Sequence, residues 1–375
     1  MKFRRRAPGL LILSTLVVLF SITGIANMLT GRMLESAKAA SFDLMRDVLG
    51  SNIKSTEDKA LASAEVVASM QTVRTAFIAK DRAKLLAETE KMFKLQDEKY
   101  GIDQAMFATP PGVAFLRLHD PGRFGEDLTS QRAMLADVHA NKVLRKGVVI
   151  TKAGPAISAI VPMFDDAGGF VGSFEMGLEF EPMLDRIKQA YEIEAAAFLD
   201  EKLLREHVGD GAEAAVITPK NRVGRFIRYH STHPDLAASL VLDKDIEVTE
   251  PVSYERVVAG TTWGVQLVPM YNYSSKQIGV YALAKNLGES RSEANRARVW
   301  MALAALFGSV FMAGVILVVV RGLLVSPLAS LSARMSALLG GDTSQPADPM
   351  DTYCEELQDL AKNYEQLRAE KSEKS

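Results

Sequence analysis

Two stretches of the chain run without a charged residue for longer than a soluble helix face requires. The first covers residues 7–31 and includes Leu10, Leu11, Ile12 and Leu13, then Leu16, Val17, Val18, Leu19 and Phe20. The second covers residues 299–320 and ends in Val315, Ile316, Leu317, Val318, Val319 and Val320. Roughly 18 to 20 apolar residues let a helix cross a bilayer, so both runs predict membrane spans. A cleaved signal peptide is the alternative for the first, because Lys2, Arg4, Arg5 and Arg6 form a basic leader and Ala37-Lys38-Ala39 has the form of a cleavage site. The run is too long for the apolar part of a signal peptide, and the small residues lie well beyond its end, which favours an uncleaved anchor. The basic segment 1–6 sets the N-terminus in the cytoplasm, and two spans return the C-terminus there, leaving 32–298 outside.

Past the first span the pattern becomes amphipathic. Residues 32–94 hold no proline, and Val66, Met70, Val73 and Phe77 recur on one helical face, predicting a long helix that rises from the membrane. Strand-like segments follow at 115–119, 147–151, 156–164 and 171–180, the last two joined by the hairpin turn Asp165-Asp166-Ala167-Gly168-Gly169. A helix is predicted over 128–141, opened by Glu126-Asp127, and another from Glu181-Pro182. Helices flanking an antiparallel sheet define an α+β fold class.

An internal repeat divides the exported part. Val161-Pro162-Met163-Phe164 and Val171-Gly172 return as Val268-Pro269-Met270-Tyr271 and Ile278-Gly279 at an offset of 107 residues. Phe115-Leu116-Arg117-Leu118-His119 returns as Phe226-Ile227-Arg228-Tyr229-His230 at an offset of 111. Two stacked modules are expected, one over 95–200 and one over 201–298.

After the second span, segment 321–375 carries two heptad patterns. Pro327 precedes Leu331, Met335 and Leu338; beyond Gly340-Gly341-Asp342 and an extended linker come Leu357, Leu360, Tyr364 and Leu367. Two short helices cannot bury such seams alone, so a partner chain is implied, most simply a homodimer with a parallel four-helix bundle.

Charge and composition narrow the chemistry. With 44 Lys+Arg against 46 Asp+Glu there is no basic field for nucleic acid. Cys354 is the single cysteine, which excludes an internal disulfide framework and any Cys-based metal cluster. All five histidines, His119, His139, His207, His230 and His233, precede the second span, so the cytoplasmic part has no histidine phosphoacceptor. Neither phosphate-binding loops nor metal-ligand spacings are present, so no enzyme activity, cofactor or metal is expected.

Taken together, the features resemble bacterial transmembrane sensors and chemoreceptors with a double Cache ectodomain of two PAS-like modules and a C-terminal HAMP domain. The HAMP resemblance rests on Pro327, the seam of Leu331, Met335 and Leu338, the Gly341-Asp342 ending, and Glu356-Leu357 with Leu360 in the second helix, although the usual glycine there is missing. It implies an inner-membrane protein with a periplasmic ectodomain that relays binding of a small molecule through HAMP to a cytoplasmic signalling partner. Since the segment after the second helix pattern is short, a separate output partner or a truncated chemoreceptor is expected, with a membrane-anchored binding or interaction protein as the other reading. The resemblance also implies that the membrane-distal module, here the first, takes the ligand.

Strand alternation then selects the site residues. Phe115, Arg117 and His119 are expected on one face, with Leu116 and Leu118 packed on the long helix. Arg117 offers a fork for a carboxylate, His119 a proton donor or acceptor, Arg132 a second cation, and Glu175 a partner for an arginine or an amine. A small organic anion is the expected ligand. Alternatively Arg117 and Glu175 form a buried ion pair, a framework role that the duplicate pair Arg228 and His230 would favour. The loop 120–125 is expected as a lid or an ordinary loop.

Overall fold

The computed structural model describes residues 3–152, 154–208 and 212–373. They form two compact units, one from Ser36 to Glu289 and one from the residues that precede and follow it.

The chain begins as α1 (Phe3–Ser69). Its apolar first half is exposed, from Leu10 through Met33, whereas Met45, Leu49, Ala60, Ala64 and Val67 in its second half are buried. The expected continuous helix over 32–94 is interrupted. Met70 adopts an extended conformation, α2 covers Gln71–Ile78, and Lys80 turns the chain at a φ of 55°. Asp81 then caps α3 (Arg82–Tyr100) by accepting from the amide of Lys84 at 3.0 Å. Neither break involves proline or glycine, which is why helical periodicity alone ran through both.

Strands β1 (Gln104–Thr109) and β2 (Val113–Arg117) lead to α4 (Ala133–Asn141), then β3 (Arg145–Thr151), β4 (Gly154–Phe164), β5 (Phe170–Glu179) and α5 (Glu181–Tyr191). The sheet runs β2-β1-β5-β4-β3, antiparallel throughout. One face packs on α1, α2 and α3 through Phe77, Leu85, Phe107, Leu116 and Phe174. The other packs on α4 through Met106, Ala108, Leu135 and Val138. The helix expected over 128–141 starts only at Ala133. Asp127 holds the preceding segment as a turn, accepting from the amide of Thr129 at 2.9 Å while it bridges Val113.

The second sheet uses β6 (Glu194–Asp200), β7 (Arg222–Val223), β8 (Phe226–Ser231), β9 (Val252–Val258), β10 (Thr261–Tyr271) and β11 (Gln277–Asn286), in the order β7-β8-β6-β11-β10-β9. The helices α6 (Glu201–Val208), α7 (Pro234–Leu240) and α8 (Asp243–Ile246) accompany it. Residues 194–200 were expected in the first module. They pair instead with β8 and β11, so the second module starts before residue 201.

The repeat is visible strand by strand. Both β4 and β5 reappear as β10 and β11 with each boundary displaced by 107 residues. Each hairpin shifts register at the same place, between Met163 and Phe164 and between Met270 and Tyr271. Pro162 and Pro269 lie beyond the last residues paired by the outer strands β3 and β9, so neither lacks an amide where the sheet needs one on that side. A Cβ at Gly172 would lie 2.3 Å from the Ala108 carbonyl oxygen, and one at Gly279 would lie 2.2 Å from that of Phe198. Glycine permits the close approach of the central strands in both modules.

In the other unit, α9 (Gly288–Val319) passes through a π-helical turn (Val320–Val325) into α10 (Ser326–Leu339), and an extended linker leads to α11 (Glu355–Glu373). Helices α1 and α9 each carry a stretch long and apolar enough to cross a membrane, with no part of it buried. Lys371, near the end of α11, donates to the carbonyl of Leu338 at 2.7 Å near the end of α10, so these two helices run parallel. The linker is held between them: Tyr364 donates to the Gln345 carbonyl at 2.5 Å and Arg368 to that of Thr343 at 3.2 Å. Pro327 lies in the first turn of α10, where its missing amide is harmless. Leu331 and Leu338 are buried with Tyr353, Ala361 and Tyr364, and Leu357 packs beside them. Met335 and Leu360 stay 38% and 50% exposed. The side chain of Glu356 lies outside the described residues, as do those of the basic segment 1–6.

Candidate functional site

The face of the first sheet that meets α4 encloses a cavity of about 100 Å³. Arg117, His119, Arg132 and Glu175 all line it, and so do Gln104, Arg123, Gln131 and Lys152. Phe115 does not, and this corrects its expected position. Arg117 pairs with Met106 and Leu116 with Phe107, but Ala114 pairs with Ala108, so Phe115 is the extra residue of a bulge. The bulge sends both Phe115 and Leu116 to the helix side, where the Phe115 ring meets Phe77 at 5.5 Å between centroids.

Arg117 is buried, and its guanidinium does not reach Glu175 as the ion-pair alternative supposed. It donates to the Arg123 carbonyl at 2.8 Å and to the Glu126 carboxylate at 2.9 Å. Arg123 donates to the other Glu126 oxygen at 2.9 Å. The hydrogen bond from Arg117 is the main cause that holds the Glu126 carboxyl down at about 2. The loop 120–125 is further pinned from α3: Arg82 donates to the carbonyls of Phe115 and Pro121, and its guanidinium lies 3.5 Å from the centre of the Phe124 ring. A loop fastened at Pro121, Arg123 and Phe124 is a wall of the cavity.

The second module repeats this clasp. Arg228 donates to the Pro234 carbonyl at 2.8 Å, six residues ahead as with Arg117 and Arg123, and to the Asn221 side chain at 3.1 Å. His230 contacts Asp185 at 3.0 Å.

Arg132 is the residue that pairs with Glu175. It sits at the N-terminal boundary of α4, and Glu175 lies in the middle of β5 opposite Met106 and Ile160. The Glu175 side chain is 3% exposed, with one oxygen accepting from Arg132 while Oε2 is buried without a hydrogen-bond partner. A buried acceptor left open is costly and suits a donor supplied from the cavity. His119 accepts from the Ala105 amide through Nδ1 at 3.3 Å, which leaves the proton of the neutral ring on Nε2. Burial is the main cause that lowers the His119 pKa, aided by Arg117, so the ring stays neutral. Lys152 is exposed and has no carboxylate partner among the described residues.

The cavity and its immediate ion pairs therefore combine four cations, Arg117, Arg123, Arg132 and Lys152, with two carboxylates, Glu126 and Glu175. Sequence reasoning missed Arg123, Gln131 and Lys152, which lie in loops or just past a strand end, Glu126, which was expected to open a helix, and Gln104, which lies in β1, a strand not among those predicted. One signal was available: Arg117 and Arg228 repeat at an offset of 111, and so do the residues whose carbonyls they hold. Among the described residues, no group of three or more His, Cys, Asp or Glu is placed to hold a metal ion.

Comparison with solved structures finds similar chains at low identity. The sensor domain of the Vibrio cholerae histidine kinase DctB is 10% identical, with 68% of this chain covering 97% of that one at a TM-score of 0.39. The ligand-binding domain of the Campylobacter jejuni chemoreceptor Tlp3, in complex with L-norvaline, is 8% identical over 68% of this chain and 92% of that one, with a TM-score of 0.37. An extracellular ligand binding receptor from Desulfohalobium retbaense is 13% identical; 68% of this chain covers only 39% of that one at a TM-score of 0.30. No curated protein matches the chain. A family model matches residues 47–289, which include both sheets and the helices packed on them, and so the chain belongs to the dCache_3 family, the double sensory domain of two-component sensor kinases.

Proposed function

We propose that the protein is a bacterial inner-membrane sensor whose distal module binds a small organic anion carrying a hydroxyl or ammonium donor. The observation that carries this reading is the excess of cations around the cavity, set beside an open, buried Glu175 Oε2. Arg132 and Lys152 would meet a carboxylate, neutral His119 would donate through Nε2–H, and Glu175 Oε2 would accept the ligand's own donor. Two apolar helices flank the sensory region and the N-terminal segment is basic, which supports a periplasmic ectodomain and a cytoplasmic N-terminus.

The parallel pair α10 and α11 supports a HAMP relay in a homodimer. Leu324, Leu328, Met335 and Leu360 line an apolar groove of about 740 Å³ that one chain leaves open and a second copy would fill. A ligand-driven change in the ectodomain would alter that packing and be read by a cytoplasmic signalling partner. The test of ligand class is a thermal-shift titration of the full-length protein in detergent with lactate, alanine, acetate and ethylamine. Stabilisation by lactate or alanine well above that by acetate is expected, and stabilisation by ethylamine alone would overturn the reading.

A further inference from the structure

Where the two modules meet lies a second cavity of about 220 Å³. Its walls come from β3, the start of α4, α6, and the turn 272–276 between β10 and β11. The lining divides into two kinds. Met134, Val148, Ile150, Leu203 and Ile278 make an apolar floor, while Arg132, His207 and Lys276 bring three groups able to carry positive charge, and no Asp or Glu lines it. Lys276 has no ion pair among the described residues, and Nδ1–H of His207 donates to the Leu203 carbonyl at 2.8 Å, so Nε2 meets an anion as a donor only when the ring carries its second proton. Arg132 already has Glu175 as its counterpart outside this lining, but Lys276 has none, and over an apolar floor a ligand can supply it.

We propose that this junction cavity is a second binding site, for a monocarboxylate with a branched or aromatic body. The carboxylate meets Lys276, His207 and Arg132, and the body covers the floor. The volume is about twice that of the distal cavity, which suits a larger and less polar molecule. This inference goes beyond the distal reading and stands without it. The two sites nevertheless share a wall, because Gln131 and Arg132 line both cavities. An anion that draws Arg132 toward the junction loosens its pairing with Glu175, so occupancy of one site alters affinity at the other, reciprocally.

The experiment is calorimetric titration of the full-length protein in detergent with benzoate, and with benzamide as the uncharged analogue of the same shape. Saturable benzoate binding is expected, with benzamide at least tenfold weaker. Lys276→Glu, on an exposed turn, and His207→Gln each weaken benzoate about tenfold or more, and thermal melting of both variants confirms that they are folded. Glu175→Gln, which disables the distal cavity, leaves benzoate bound. Absent saturable binding, equal binding of benzamide, or loss of benzoate in Glu175→Gln but not in Lys276→Glu overturns the proposal.

Discussion

Arg117 Nη1 donates to the carbonyl oxygen of Arg123 at 2.8 Å and so ties β2 to the loop that walls the distal cavity. The same bond at the same length joins Arg228 to Pro234 in the second module. A feature kept in both halves of a duplicated fold belongs first to the framework.

Truncating either arginine should therefore lower the stability of its own module, by about 1–3 kcal/mol, because a buried guanidinium and the hydrogen bonds it donates to the clasp are lost. Chemical denaturation of Arg117→Ala and Arg228→Ala measures this. If Arg117→Ala left the midpoint unchanged while abolishing ligand binding, Arg117 would be a ligand contact and the clasp incidental.

Glu175→Gln separates binding from folding. Glutamine keeps an acceptor for Arg132 but removes the charge and replaces the open oxygen's environment, so affinity for a donor-bearing anion should fall tenfold or more. Calorimetric titration with lactate or alanine is the measurement. Unchanged affinity would place the ligand elsewhere.

Asp103 gives a pH dependence with an unusual sign. Burial, reinforced by repulsion from Glu179, pushes its carboxyl up from 3.8 to about 6. The folded state thus binds more protons than the unfolded chain between those values, so this group's contribution favours folding below about pH 4 and is lost as pH rises to about 6. Glu126 works in the opposite sense, its contribution being full above 4.5 and lost as pH falls toward 2. Asp103→Asn mimics the protonated form. It should raise stability at pH 7.5 by on the order of 1–2 kcal/mol, after allowance for solvent screening, and leave it little changed at pH 4. Denaturation curves at the two pH values decide it, and equal effects at both would show that charge at Asp103 is not the cause.

The apolar spans, the repeat and most strands were legible because each rests on periodicity or on length. Val161-Pro162-Met163 and Val268-Pro269-Met270 led directly to two hairpins with equivalent boundaries. What escaped was local backbone geometry. A single bulged residue turned Phe115 away from the cavity, and the extended Met70 and left-handed Lys80 broke a helix with no sequence signal for a break. Lys152, Arg123 and Glu126 escaped for a different reason: the first two reach the cavity, and Glu126 reaches its arginines, from loops or strand ends, where tertiary contacts alone decide which way a side chain turns.

The last expectation concerns the cytoplasmic helices. In a single chain Leu331 is 3% exposed and Leu360 is 50% exposed, so one seam is closed within the protomer and the other is open. If a second copy closes it as a parallel bundle, Leu360 faces its counterpart across the dimer axis. In a Cys354→Ser background, Leu360→Cys should form a disulfide-linked dimer in membranes. Adding Leu331→Pro should abolish that cross-link, because an interior proline removes a helical hydrogen bond and costs about 3 kcal/mol or more. Ligand affinity of the ectodomain should survive the same substitution. Failure of Leu360→Cys to cross-link, with Leu367→Cys equally silent, would exclude the parallel dimer and with it the relay.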